Sequence, residues 1–101
     1  MNYRINVKDS AELDMLDAYN WYENEKDGLG KTFLKEIETN LLLLETNPML
    51  YQIVYKNVRR ALLHKFPFGI YYIIENEIVN ILSVTHLSRD PKNWRERISI
   101  N

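Results

Sequence analysis

Phe68-Gly-Ile-Tyr-Tyr-Ile-Ile-Glu-Asn-Glu-Ile-Val-Asn-Ile-Leu-Ser-Val-Thr85 sets two short runs of aromatic and β-branched residues on either side of Glu75-Asn76-Glu77. Such side chains suit a pleated, packed surface, and a polar turn this short between them predicts an antiparallel hairpin of strands 68–74 and 78–85. Strict alternation along the second strand puts Ile78, Asn80, Leu82 and Val84 on one face and Val79, Ile81, Ser83 and Thr85 on the other. Both faces are then partly apolar, so each needs a cover.

Moving toward the N-terminus, Ile53-Val54-Tyr55 and the run from Arg59 to Phe66 have the same composition, with breaks at Lys56-Asn57 and at Pro67 near Gly69. Together with the hairpin they predict an antiparallel meander of three to four strands. Before Pro48 the apolar period changes. Phe33, Ile37, Leu41 and Leu44, widened by Leu34 and Leu42, recur at helical spacing until Asn47-Pro48 stops the pattern. Ahead of Gly28-Leu29-Gly30, residues Ala11, Met15, Ala18, Tyr19 and Tyr22 mark a helix over about residues 10–26, opened by Asp9 with Glu12 in a capping-box-like pair. Asn2 to Val7 alternates Tyr3, Ile5 and Val7 against polar residues and reads as a first strand. At the far end, Asp90 as N-cap and Pro91 at the first helical position predict a short C-terminal helix.

The expected fold is α+β: a strand, an antiparallel helix hairpin, the meander, then the short helix. The hairpin covers one face of the sheet. The other is left to the C-terminal helix or to a partner chain, and a helix so short covers so little area that a partner is expected.

Composition bounds the rest. The chain has 101 residues, 46% of them hydrophobic, enough for one core and too few for two, so residues 1–101 form a single domain. No apolar run approaches the ~20 residues of a membrane span, and the N-terminus has no signal-peptide centre, which together predict a cytosolic protein. With no cysteine and two histidines, thiolate chemistry and a cysteine-type zinc site are ruled out, and neither a metal nor a cofactor is called for. The net charge of −1 conceals a division: residues 1–50 carry five Lys/Arg against ten Asp/Glu, a balance of −5, and residues 51–101 carry eight against four, a balance of +4. A basic half suits an anionic partner, either nucleic acid or an acidic protein segment, while a pI near 6.1 argues against tight non-specific phosphate binding. The plainer alternative is two solvated acidic helix faces.

An ordered set of short motifs runs through these elements: Trp21-Tyr22-Glu23, Gly28-Leu29-Gly30, Phe33-Leu34 with Glu36-Ile37-Glu38, Asn47-Pro48, Arg59-Arg60 with Leu62-Leu63, Lys65-Phe66-Pro67-Phe68 with Ile70-Tyr71-Tyr72, Ser83-Val84, His86, Arg89-Asp90-Pro91, Trp94 and Arg97. This set resembles the RelE/ParE superfamily of toxins from bacterial type II toxin–antitoxin systems, over about nine-tenths of the chain. The resemblance implies a toxin held inactive by a cognate antitoxin whose disordered segment folds on it. It also implies one of two targets. RelE-like members cut messenger RNA on the ribosome; ParE-like members trap DNA gyrase without hydrolysis.

Cleavage by the RNA 2′-oxygen needs a base, an acid and fixed cations around the phosphorane. For a nuclease, His86 is the candidate acid or base, with Arg60 and Arg89 as phosphate clamps. No tyrosine lies beyond Tyr72, however, and the overall charge is near neutral, so a ParE-like gyrase inhibitor is the expected function, with the nuclease and an inactive antitoxin-binding relative as alternatives. Arg89, Lys92, Trp94, Arg95 and Arg97 form the candidate edge for target or antitoxin. Each also has a structural reading. His86 can fix the strand-to-helix turn by bonding a backbone carbonyl, Trp94 can anchor the short helix on the sheet, and Asp90 reads as a cap. Arg60 is expected to share a face with Leu62, His64 and Phe66, and Arg59 to be solvated or paired with an acidic helix residue. His64 reads as a core histidine and Trp21-Tyr22 as helix packing.

Overall fold

The computed structural model describes residues 2–100. Its elements in chain order are β1 (Arg4–Val7), α1 (Asp9–Glu25), α2 (Leu29–Thr46), a 3-10 turn (Pro48–Leu50), β2 (Gln52–Tyr55), β3 (Val58–Leu62), β4 (Phe68–Glu75), β5 (Ile78–His86) and α3 (Lys92–Arg95), which runs into a final 3-10 turn (Glu96–Ile100). Strands β2 to β5 form the antiparallel meander, and β1 joins it as a parallel neighbour of β5, giving the order β1-β5-β4-β3-β2. The parallel step is possible because the chain from β1 to β5 passes through the α1–α2 hairpin and strands β2 to β4, far longer than the connection such a pairing needs. Both predicted hairpin turns are present, and Lys56 and Asn76 hold the positive φ that two-residue turns require.

The helix hairpin packs on one face. Ala11 and Ala18 of α1 and Phe33, Ile37 and Leu44 of α2 meet Ala61, Ile70, Tyr72, Val79, Ile81 and Val84 of the sheet, all buried. Rings of Tyr22, Phe33, Phe66 and Phe68 interlock at one end, with centroids 4.8 to 6.0 Å apart. Leu42, assigned to this stripe by spacing, is instead exposed. The apolar arc of α2 is narrower than the run of leucines 41–44 suggested.

Alternation in β5 breaks at one point. Tyr71 pairs with Ser83 and Tyr72 with Ile81, so Leu82 is an extra residue, a β-bulge. Val84 therefore joins Val79 and Ile81 on the helix face rather than Leu82, as a period of two required. The outer face carries Val58, Tyr71, Ile73 and Leu82, and Trp94 covers them. The chain thus supplies its own cover for this patch, where the small size of the C-terminal helix had suggested a partner; one indole spans what a few aliphatic residues would not.

Strand β3 ends at Leu62, short of the predicted Phe66. The carboxylate of Glu36 on α2 accepts the His64 and Lys65 backbone N–H groups, the latter at 3.1 Å, and Pro67 has no N–H to continue a ladder. This turn swings His64 out to solvent, contrary to its reading as a core histidine, and brings Phe66 into the aromatic cluster. Arg59, partly exposed, pairs with no acidic helix residue: its Nη1 donates to the carbonyls of Met49 at 3.0 Å and Tyr51 at 2.7 Å. The Tyr72 hydroxyl donates to the Pro48 carbonyl at 2.7 Å, and burial pushes that hydroxyl well above the ordinary tyrosine range. The two side chains together pin the connection from α2 into the meander.

Helix α1 starts without the predicted box. Lys8 is the N-cap, and no side chain caps the first turn, because a lysine ammonium has no lone pair to offer its N–H groups; the Lys8 N–H itself donates to the Ile81 carbonyl at 3.0 Å. Asp9 and Glu12 remain in the first turn, where the helix dipole favours them. Helix α2 opens on Gly28, whose φ of 86° belongs to the left-handed region. Glu23 caps it from α1, accepting the Gly28 N–H at 2.8 Å and the Gly30 N–H at 3.0 Å. These bonds, the Gly28 contact foremost, hold the Glu23 carboxyl below the usual glutamate range.

A group with a depressed folded pKa stabilises the fold above its unfolded pKa, near ~4.3, and loses that contribution as pH falls through the folded value. Glu23→Gln is therefore expected to melt earlier than the wild type at pH 7, with the difference shrinking below about pH 4. Thermal melts of both proteins across this range check it; a gap that stays constant down to pH 3 would remove the carboxylate's charge from the explanation.

Candidate functional site

Beyond β1, the open edge of β5 is closed by side chains. Asp14 of α1 accepts the Val84 N–H at 3.0 Å and the Ser83 hydroxyl at 3.2 Å, and Ser83 also contacts the Thr85 hydroxyl. Arg97 forks onto Asp14, Nη1 to Oδ2 at 2.6 Å and Nη2 to Oδ1 at 3.2 Å, and Nη1 also donates to the Leu82 carbonyl at 3.0 Å. A two-pronged charge-assisted bond of this kind, with both partners mostly shielded, ties the C-terminal segment across the sheet to α1. Arg97, predicted on the contact edge, is thus committed to the fold. Nothing in the sequence signals its partner 83 residues away.

Trp94 is buried and stacks on Tyr71 with centroids 4.4 Å apart and planes 20° apart, while Tyr55 meets it edge-on at 5.9 Å. That is the anchoring role and leaves no free ring face for a base. Arg95 lies over the Tyr55 ring at 4.3 Å. Lys92 is exposed, and the Asp90 carboxylate accepts its N–H at 3.0 Å, although α3 starts at Lys92 with Pro91 as N-cap, one residue later than predicted.

The three nuclease candidates do not converge. Arg60 pairs with Tyr71, which belongs to the outer face under Trp94. His86 pairs with Phe68, on the helix face, and rests against its ring at 5.2 Å. The sheet therefore separates Arg60 from His86. The aliphatic stem of Arg60 crosses Gly69, where a β-carbon would sit 3.1 Å from it, so this glycine makes room for the arginine. Its companions also differ from expectation: Leu62 shares its strand face, but His64 and Phe66 lie past the strand end.

His86 and Arg89 do come together, at the C-terminal end of β5. The His86 Nδ1 accepts the Ser88 N–H at 3.1 Å and lies 2.8 Å from the Ser88 hydroxyl. Because a backbone N–H can only donate, the neutral ring carries its proton on Nε2, facing away from that turn. The Arg89 N–H returns to the His86 carbonyl at 3.0 Å. His86 thus fixes the strand-to-helix turn by accepting a backbone N–H, where a bond to a carbonyl was expected. A cleft of about 510 Å³ opens beside them, lined by Asp17, Trp21, Tyr22, Phe68, His86 and Arg89 among others. A smaller one of about 170 Å³, which includes Asp14 and Arg97, shares Asp17, Phe68, His86 and Arg89 with it. Trp21 departs from the expected helix packing. Read as helix packing, its indole is 64% exposed at the mouth of this cleft, while its neighbour Tyr22 does turn into the aromatic cluster. Among the described residues no group of three or more His, Cys, Asp or Glu side chains is arranged to hold a metal, and no helix is long and apolar enough to cross a membrane.

Residues 5–91 match the family model described as the ParE toxin of the type II toxin–antitoxin system parDE. The chain belongs to the ParE toxin family. Solved structures of similar fold include two from toxin systems. A chain from the chromosomal ParDE system of P. aeruginosa superposes with a TM-score of 0.69 at 17% identity, covering 83% of this chain and 95% of that one. A mutant of the E. coli toxin RelE in the free state superposes with a TM-score of 0.62 at 10% identity, covering 99% and 98%. A sequence search of curated proteins gives no match. In this ParE-family toxin the shared architecture includes the helix hairpin and the sheet; the His86–Arg89 turn falls inside the matched residues, and Trp94 and Arg97 lie beyond them.

Proposed function

We propose that this toxin stops growth in the cytoplasm by binding DNA gyrase as a protein inhibitor, without hydrolytic chemistry, and that a cognate ParD-type antitoxin neutralises it. The observation that carries the reading is the match to the ParE family over residues 5–91, joined to the placement of Arg60 and His86 on opposite faces of the sheet. Phosphodiester cleavage asks for an acid, a base and a phosphate clamp within about 3 Å of one reacting centre. The two groups separated by the sheet do not offer that. Contact with protein partners falls instead to the C-terminal part: Arg89, Lys92 and Arg95 supply exposed charge, and Trp94 and Arg97 hold the segment in place.

A supercoiling assay with purified gyrase, ATP and relaxed plasmid tests this. Loss of supercoiling with accumulation of linear DNA is the expected result. Unaffected supercoiling at high molar excess, with messages cut on ribosomes by the wild type and spared by His86→Ala, would replace the proposal with a RelE-like nuclease. If the chain neither inhibits gyrase nor cuts messages nor slows growth, it is an antitoxin-binding relative that has lost its toxicity.

A further inference from the structure

We infer that the cleft between α1 and the His86–Arg89 turn is a docking pocket for a segment of the antitoxin, taking an apolar side chain against Trp21 with a neighbouring carboxylate on Arg89. The inference rests on the toxin–antitoxin reading above and extends it to a specific surface. Trp21, 64% exposed, and Leu87, 45% exposed on the adjoining turn, give the cleft an apolar rim. Beneath Trp21 the cleft is walled by Tyr22 and Phe68, which are already fixed in the aromatic cluster, so an entering side chain meets a preformed surface.

The polar groups at the rim select the occupant. The Arg89 guanidinium makes no hydrogen bond or ion pair among the described residues, and the His86 Nε2–H is left free by the bond that Ser88 makes to Nδ1. Two donors beside an apolar wall suit a carboxylate that follows an apolar residue. Asp17 lines the same cleft and is exposed, and its charge would repel the phosphates of a nucleic acid, whereas a peptide can place a cation or an amide there. A protein segment of mixed charge with an apolar anchor is thus the partner that fits, the chemistry of a disordered segment that folds as it docks into a groove.

Fluorescence reads the pocket directly, because the only other tryptophan, Trp94, is buried on the opposite face of the sheet. Overlapping synthetic 15-residue peptides covering the cognate antitoxin would be titrated into the whole chain, with the intact antitoxin as a reference. We expect one peptide, carrying Asp or Glu next to a large apolar residue, to shift the emission to shorter wavelength. Its affinity should fall at least tenfold in Arg89→Glu and in Trp21→Ala, and the emission left in Trp21→Ala should not respond. Both positions are exposed, so circular dichroism and melting of the two variants should match the wild type. If the intact antitoxin binds with undiminished affinity to both variants, the pocket is not its docking site, and loss of gyrase inhibition in those variants would assign the pocket to the target instead. If the antitoxin does not bind the wild type either, the partner reading itself falls.

Discussion

Trp94→Ala is expected to cost about 3–5 kcal/mol, the range for emptying a buried large aromatic site. In a domain of this size that lowers the melting temperature by on the order of 15 °C or more. The indole is the lid of the outer face: without its stack on Tyr71, the buried Val58, Ile73 and Leu82 face water, and Arg95 loses one of its two ring contacts. Trp94→Phe keeps an aromatic plane over Tyr71 and should lose much less. A thermal melt with a dye that reports exposed apolar surface checks both variants. If Trp94→Ala shifted the melt by under ~5 °C, the C-terminal turn would not be docked on the sheet in solution.

The second large effect is expected at Gly30, on the inner side of the helix hairpin. A β-carbon there would lie 2.6 Å from the Tyr19 carbonyl oxygen, 2.8 Å from its ring and 2.9 Å from a Glu23 carboxylate oxygen. The first of these is backbone and can yield only if α1 and α2 move apart, which also breaks the Glu23 cap on Gly28 and Gly30. Alanine gains about 1 kcal/mol of helix propensity over glycine, and the overpacking penalty of about 1–3 kcal/mol outweighs it. Valine gains less and adds two methyl groups, so Gly30→Val is expected to lose ~3 kcal/mol or more and to melt at least ~12 °C below the wild type. Urea unfolding followed by circular dichroism measures the loss. A variant as stable as the wild type would mean that the two helices do not approach as closely as Gly30 allows.

Gly30 also illustrates what was legible in the chain. Gly28-Leu29-Gly30 reads as the break between two helices, which holds for Gly28, with its left-handed φ. Gly30 lies inside α2 and is needed for space rather than for a turn, a requirement set by Tyr19 on the other helix. Similarly, Trp94 could be placed on the sheet from its position in a short capped helix, because a buried indole beside apolar strands has few other places to go. The exposure of Trp21 could not be read. A tryptophan at helical spacing counts as core in any periodic reading, and only the packed hairpin shows which way its side chain points.

The elements of this protein follow from local physics that the sequence carries by itself. Periods of 3.6 and two separate helices from strands, Gly28 and Pro48 break the helices, and Asp90-Pro91 starts the last one. Helix hairpin, meander and terminal helix therefore follow in order from residues close together along the chain. The decisions left to tertiary structure all couple residues far apart. The bulge at Leu82 reverses which face Val84 occupies; β1 pairs in parallel with β5; Asp14 and Arg97 close the edge that β1 leaves open; and the sheet divides Arg60 from His86. None of these leaves a periodic trace, because each depends on which groups still lack a partner after the local elements have formed, and that is settled only when the elements pack.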